Sequence, residues 1–189
     1  MSTSDEQLIQ KFCGGNTGAF NRLVERWQTR IHRVAYRYFN SHDEASDITQ
    51  KTFIKVYKKL HTLDDHGAFP AWIYRIANNL CRDEYKRAGR RHSASMEILK
   101  SDPVAVNDPD GPLQQQQLGQ LLQQALQKLP PEQRMVVIMK EYEELKFREI
   151  AGVLAIPEST VKSRMYAGLR SLRGIFDQQN INKEAFYYG

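Results

Sequence analysis

Two cysteines, Cys13 and Cys81, are all that the 189 residues hold, too few for a disulfide framework and without metal-ligand spacing. No stretch approaches the roughly 20 apolar residues that a bilayer crossing requires. A spanning protein is thereby excluded. The opening MSTSDEQLIQ lacks a basic segment followed by an apolar one, so no secretory signal is expected and the protein is placed in the cytoplasm. Its five histidines are scattered, and no glycine-rich loop is available to cradle phosphate. Without a catalytic constellation, neither an enzyme nor a bound cofactor or metal is expected.

What is present is charge, unevenly placed. The formal net charge is +5, from 27 basic and 22 acidic side chains. Residues 1–92 hold 16 basic and 10 acidic side chains, 93–133 hold 2 and 5, and 134–189 hold 9 and 7. Two basic blocks thus flank an acidic middle, a pattern suited to two surfaces facing a polyanion. Ordinary solvation of helix faces by Lys and Arg would account for it equally well.

Apolar residues recur at helical spacing and no strand alternation stands out, so an all-α protein is expected. Asn16 caps a long helix near 17–39, with Phe20, Leu23, Val24, Trp27, Ile31, Val34, Ala35 and Tyr38 on one stripe. Ser41 caps a second, with Asp43 and Glu44 in its first turn. Its inner face carries Ala45, Ile48, Thr52, Phe53, Val56, Tyr57 and Leu60. A loop over 61–68 precedes a helix opened by Pro70 and running out near Gly89. Residues 93–112, rich in Ser, Asp, Asn and Pro, form a flexible linker between two small helical domains, 1–92 and 113–177. Beyond the linker, Leu118, Leu121, Leu122, Ala125, Leu126 and Leu129 make a helix of a glutamine-rich stretch. Pro131 starts the next helix, through Met135 to Tyr142, and residues 178–189 are left as a tail.

The strongest mechanical signal is FREIAGVLAIPESTVKSRMYAGLRSL, residues 147–172. A short helix burying Ile150 and Leu154, a turn over Ala155 to Pro157 and a second helix burying Val161, Met165, Leu169 and Leu172 make a helix-turn-helix. Ala151, Ala155 and Val161 supply the small and branched residues that a close crossing needs. The second helix presents Ser159, Thr160, Lys162, Ser163 and Tyr166 outward, with Arg164 among them, groups suited to base edges and phosphates. The bland alternative is a helical hairpin that meets no nucleic acid. It leaves the local excess of Lys162, Arg164, Arg170 and Arg173 over Glu158 unexplained.

In the first domain Phe69, Trp72 and Tyr74 precede Arg75, Arg82, Lys86, Arg87, Arg90 and Arg91, with Asn78 and Asn79 between them. Such interleaving can stack on unpaired bases and neutralise phosphates. Aromatic stripes are also ordinary core, so both readings stand at this point.

The ordered pair of domains resembles the extracytoplasmic-function group of bacterial RNA polymerase sigma factors, over about residues 5–92 and 113–175. AFNRLVERW (19–27) resembles the first family helix, and DITQKTFIKVYKKL (47–60) the segment that docks on the polymerase. FPAWIYRIANNLCRDEYKR (69–87) resembles the segment that melts and reads the −10 element, and residues 129–173 resemble the −35 reader. Any one block is moderately specific; the ordered set is highly specific. The resemblance implies that Asp47, Gln50 and Phe53 dock on core polymerase. It also implies that Leu63, Phe69, Trp72, Arg75, Ile76, Asn79, Arg82 and Lys86 meet −10 DNA, with a flipped-base pocket near Leu63 to Ala68, Ile76 and Asn79. Ser159, Thr160, Lys162, Ser163, Arg164 and Tyr166 would meet the −35 duplex. Implied partners are core RNA polymerase (the clamp helices of its largest subunit and the flap of the second largest), promoter DNA and an inhibitory anti-sigma factor that can hold the protein at the membrane. Two positions depart from the family pattern: Lys51 stands where an acidic residue is usual, and Ala167 where many members are basic. The rival reading is a helix-turn-helix activator or repressor that binds duplex DNA without polymerase. It has no use for the docking helix or the melting loop.

Overall fold

A computed structural model describes residues 3–94 and 113–178. Among these residues eight α-helices, α1(Asp5–Cys13), α2(Thr17–Phe39), α3(His42–Lys59), α4(Phe69–Ala94), α5(Leu113–Gln127), α6(Pro131–Glu141), α7(Phe147–Leu154) and α8(Glu158–Gln178), carry both domains. No helix among the described residues is long and apolar enough to cross a membrane. The linker, apart from its helical 93–94 end, and the tail, apart from Gln178, lie outside the described residues.

Local chemistry sets the helix boundaries. The Asn16 side chain accepts from the Ala19 amide at 3.2 Å, and Ser41 Oγ from the Glu44 amide at 3.4 Å, so both expected caps are formed. Asn40, at φ 57°, takes the left-handed conformation between α2 and α3. Helix α1 was not expected. Ser4 and Gln7 close a capping box, Gln7 N to Ser4 Oγ at 3.3 Å and Ser4 N to Gln7 Oε1 at 3.1 Å. Buried Leu8 and Ile9 then hold α1 to the core. Helix α4 starts one residue before Pro70 and continues past Gly89 to Ala94, farther than the sequence reading allowed. A solvent-exposed glycine costs a helix only about 1 kcal/mol, which a long helix tolerates.

The first core gathers around Trp27, whose ring meets Phe69 at 5.7 Å and Tyr74 at 5.6 Å, both edge-on. Its indole N–H donates to Asp5 Oδ2 at 3.0 Å, tying α1 to α2. In the second domain α6 is central, with Met135, Val136, Val137, Ile138 and Met139 buried in succession. Helix α8 crosses α6 at Gly168, where an added Cβ would stand 3.0 Å from Val137 Cγ2. Between α7 and α8 the chain turns at Ala155, φ 54°, a left-handed residue that costs an alanine roughly 1–2 kcal/mol. Three inward assignments need correction. Leu169 is 42% exposed and Tyr57 50% exposed, while Val153 fills the place expected of half-buried Leu154.

Candidate nucleic-acid and docking surfaces

Between α2 and α3 lies a groove of about 720 Å³, lined among others by Phe20, Val24, Gln50, Phe53, Ile54 and Tyr57. Two rings of its lining, Phe20 and Tyr57, pack on each other and on Phe12 of α1, with centroids 5.0–5.3 Å apart. Ile54 remains 46% exposed there. Contiguous exposed apolar surface of this kind marks a protein-binding face. Of the expected docking residues, Gln50 and Phe53 line the groove, whereas Asp47 stands one turn away, paired with Lys51. Lys51 also reaches Glu84 on α4 at 3.9 Å. The unusual lysine is therefore held inside the domain by two carboxylates. Sequence reasoning missed Ile54 and Tyr57; the available signal was an isoleucine standing off the apolar stripe of α3.

Helix α4 divides its residues between two tasks. Phe69 is fully buried and Tyr74 3% exposed, both against Trp27. Phe69 is thus a core residue, and its ring cannot reach a base. Trp72, packed on Phe69 at 6.2 Å, is half-buried, as are Leu63, Ile76 and Asn79. The loop before α4 is two short 3-10 turns, and Asp65 caps the second by accepting from the Gly67 amide at 2.9 Å. Arg75, Arg82 and Lys86 are exposed. Arg82 donates to Asn79 Oδ1 at 3.4 Å, joining a cation to the amide beside it. The Cys81 thiol is fully buried, and burial pushes its pKa well above the ordinary range, which keeps it neutral and unreactive.

In α8 the arrangement is simpler. Ser159, Lys162, Ser163 and Tyr166 are exposed, Thr160 half-buried, and Val161, Met165 and Leu172 face the core. Lys162 pairs with Glu158 at 2.6 Å, and that hydrogen bond and charge raise the pKa of its ammonium group. Half-buried Arg164 turns away from this row and lines a cleft of about 390 Å³ with Asn78, Arg82, Tyr85, Lys86 and Glu132. Cations assigned to the two DNA elements therefore meet across one cleft. Arg91 lies at the end of α4, and nothing is described of its side chain.

Family models match both domains: Sigma-70 region 2 over residues 23–91 and Sigma-70, region 4 over 119–172. The chain is 35% identical over 159 residues to the ECF RNA polymerase sigma factor SigE of Mycolicibacterium smegmatis, covering 82% of this chain and 60% of that one. It is 30% identical over 176 residues to the ECF RNA polymerase sigma factor SigW of Bacillus subtilis, covering 89% and 94%. Among solved structures, the fold is similar to the sigma factor RpoE in complex with the anti-sigma factor NepR from Bartonella quintana. The TM-score there is 0.72 at 20% identity, over 84% of this chain and 96% of that one. It is similar also to CnrH in complex with the cytosolic domain of CnrY, with a TM-score of 0.68 at 22% identity, over 92% and 97%.

Proposed function

We propose, from the premise that this chain belongs to the sigma-70 family of RNA polymerase sigma factors and to its extracytoplasmic-function group, that its two domains divide polymerase docking and promoter reading as follows. A member of this family is a specificity subunit that directs transcription initiation and is not itself an enzyme. The α2–α3 groove, with Gln50 and Phe53 in its lining and Asp47 one turn away, receives the clamp helices of the polymerase largest subunit. Helix α4 and the turns before it receive the unpaired −10 strand. Arg75, Arg82 and Lys86 neutralise phosphate, and Leu63, Trp72, Ile76 and Asn79 hold bases. Helix α8 enters the −35 major groove with Ser159, Thr160, Lys162, Ser163 and Tyr166. The second domain also meets the flap of the second largest subunit.

The observation that carries this reading is the coexistence, in one chain, of a helix-turn-helix with an exposed polar row and a separate domain whose apolar groove adjoins a basic helix. A duplex-only regulator needs the first and has no use for the second. Anti-sigma factors accompany both similar solved structures; we assign an anti-sigma partner to this chain as well, covering the groove, with the protein working in the cytoplasm. Run-off transcription with purified core polymerase on genomic promoter fragments tests the assignment. Promoter-dependent initiation that requires this chain is the expected outcome; binding to duplex without any initiation would return the protein to the class of conventional regulators.

A further inference from the structure

Ion pairs hold many cations of this chain: Lys51 by Asp47 and Glu84, Arg87 by Glu84, Lys162 by Glu158 and Arg26 by Asp5. The cleft of about 390 Å³ between α4, α6 and α8 is different. Arg82 and Lys86 of α4 and Arg164 of α8 line it together, and among the described residues none of the three is ion-paired. Glu132 supplies the single carboxylate of its lining among those residues. Like charges gathered in a partly enclosed space repel more strongly than in open water, so the arrangement favours an anion between them. Arg164 is half-buried and stands apart from the row that α8 shows to solvent, so its charge is directed into the cleft.

The rest of the lining is more than a phosphate needs. Tyr85 is 40% exposed, and its ring is held from the buried side, where Tyr38 meets it edge-on at 6.1 Å and the Arg134 guanidinium lies 5.9 Å from its centroid. Arg134 is itself only 4% exposed and donates to Tyr38 O at 2.6 Å and to Leu129 O at 3.1 Å, which fixes this backing. A ring so held offers its free part for stacking on a planar base, and a purine, with the larger face, gains more from it. Asn78 brings a donor and an acceptor in one amide, and Leu154 and Ile156 an apolar wall. The volume falls within the roughly 300–1,000 Å³ usual for small-molecule sites. We propose that this cleft binds a purine nucleoside diphosphate, with Arg82, Lys86 and Arg164 on its phosphates, Tyr85 stacked on its base and Asn78 at the base edge.

Two guanidinium forks and an ammonium group arriving from two helices suit adjacent phosphates better than a single one, because each fork can bind phosphate oxygens in bidentate fashion. A longer nucleic-acid strand would carry further phosphates past Glu132, which repels them, whereas a diphosphate ends within the cluster of cations. Arg82 and Lys86 are also two of the cations assigned above to −10 phosphate, so the nucleotide and unpaired DNA compete for them. That competition rests on the sigma reading; the site itself does not.

Isothermal titration calorimetry on the full-length chain tests the site, with ADP, GDP, adenosine, guanosine and pyrophosphate as separate titrants. ADP or GDP should bind one per chain with a Kd below about 100 μM, and about tenfold or more tightly than its nucleoside and than pyrophosphate. Arg164→Gln and Arg82→Gln should each weaken that binding by about tenfold or more, while Tyr85→Leu should weaken it and leave pyrophosphate binding unchanged. Arg170→Gln, on the same helix but outside the cleft, should change nothing. Arg82 is exposed, so Arg82→Gln keeps the test alive should Arg164→Gln lose its helical circular dichroism. No saturable binding of either diphosphate up to about 1 mM, or binding that both arginine variants leave intact, overturns the site. Pyrophosphate binding as tight as the diphosphate overturns the nucleotide assignment. A random-sequence single-stranded DNA pool then tests the competition: saturating nucleotide should weaken its binding to the parent and not to Arg164→Gln. Run-off assays with core polymerase on the same preparations separate the two claims. Absent initiation with nucleotide binding intact sinks the sigma reading and leaves the site standing.

Discussion

Helices α4 and α8 carry the residues that resemblance assigns to DNA, but they stand in opposite relations to the core. On α8 the burial pattern is cleaner: Val161, Met165 and Leu172 face inward, Ser159, Lys162, Ser163 and Tyr166 face solvent, and Thr160 is half-buried. On α4 the same residue types are mixed. Phe69 and Tyr74 are core, Trp72, Ile76 and Asn79 are half-buried, and only the cations are free of the first domain's interior. The difference suits what we propose each helix reads. A duplex presents base edges in a groove, so short polar groups on a protruding row suffice. An unpaired base must be enclosed, so the reading residues sit at the margin of a core that supplies the walls.

The sharpest way to break this comparison is to truncate one aromatic on each helix. Phe69→Ala should cost about 3–5 kcal/mol of stability, as for a buried aromatic, while Tyr166→Ala should change stability by no more than about 0.5 kcal/mol and act only on DNA binding. Urea unfolding of both variants measures it. Equal losses would mean that α4 and α8 are not differently built. Next in size is Lys162→Ala, which should weaken −35 duplex binding by on the order of 1–3 kcal/mol with relaxed preference at one position if it meets a base. A uniform loss across sequences, with the salt slope falling by about one unit, would instead assign Lys162 to phosphate. Asn79→Ala should then leave duplex binding intact and reduce open-complex formation on the order of tenfold, about 1.4 kcal/mol. Permanganate reactivity of −10 thymines reports it, and unchanged melting would remove Asn79 from the pocket.

How much of this was legible in the sequence differs between the same two regions. The helix-turn-helix could be read nearly whole, because Val161, Met165 and Leu172 keep helical period and the turn residues are local. Leu169 was misassigned on the same periodicity, since α8 meets α6 at Gly168 and leaves the next residue outside the contact. On α4, the aromatics were open to two readings because residue type cannot say which side of a helix a neighbour covers. Trp27, more than 40 residues earlier, decides it for Phe69 and Tyr74. Helix α1 escaped notice for another reason: its nine residues hold few apolar side chains, Leu8, Ile9 and Phe12 besides Cys13, too short a stretch to show helical period, and its capping box needs Ser4 and Gln7 read together. Arg134 gave no sign at all. A single arginine before MVVIM looks like a surface residue until α2 is placed against it.

The smallest expected effect again separates the domains, this time by pH. Described residues 113–178 contain no histidine, whereas in the first domain His32 stacks on His42 at 5.7 Å and 23°, and His42 lies 4.5 Å from the Tyr36 ring. Burial first, and the neighbouring imidazole second, hold the His32 pKa below its ordinary value of 6.5. In the unfolded chain His32 takes up its proton near 6.5; in the folded chain it does so only at lower pH. Between those values the unfolded state binds more protons, so stability rises with pH there. The contribution is complete above about 6.5 and is lost as pH falls through and below it. Thermal unfolding at pH 7.5 and 5.5 should therefore show a fall in Tm that His32→Gln makes smaller by about 1–2 °C. An equal fall in parent and variant would place the pH sensitivity elsewhere than in this histidine pair. Because His32 also lines the α2–α3 groove, the same variant asks whether the groove's occupant and the proton compete for one wall.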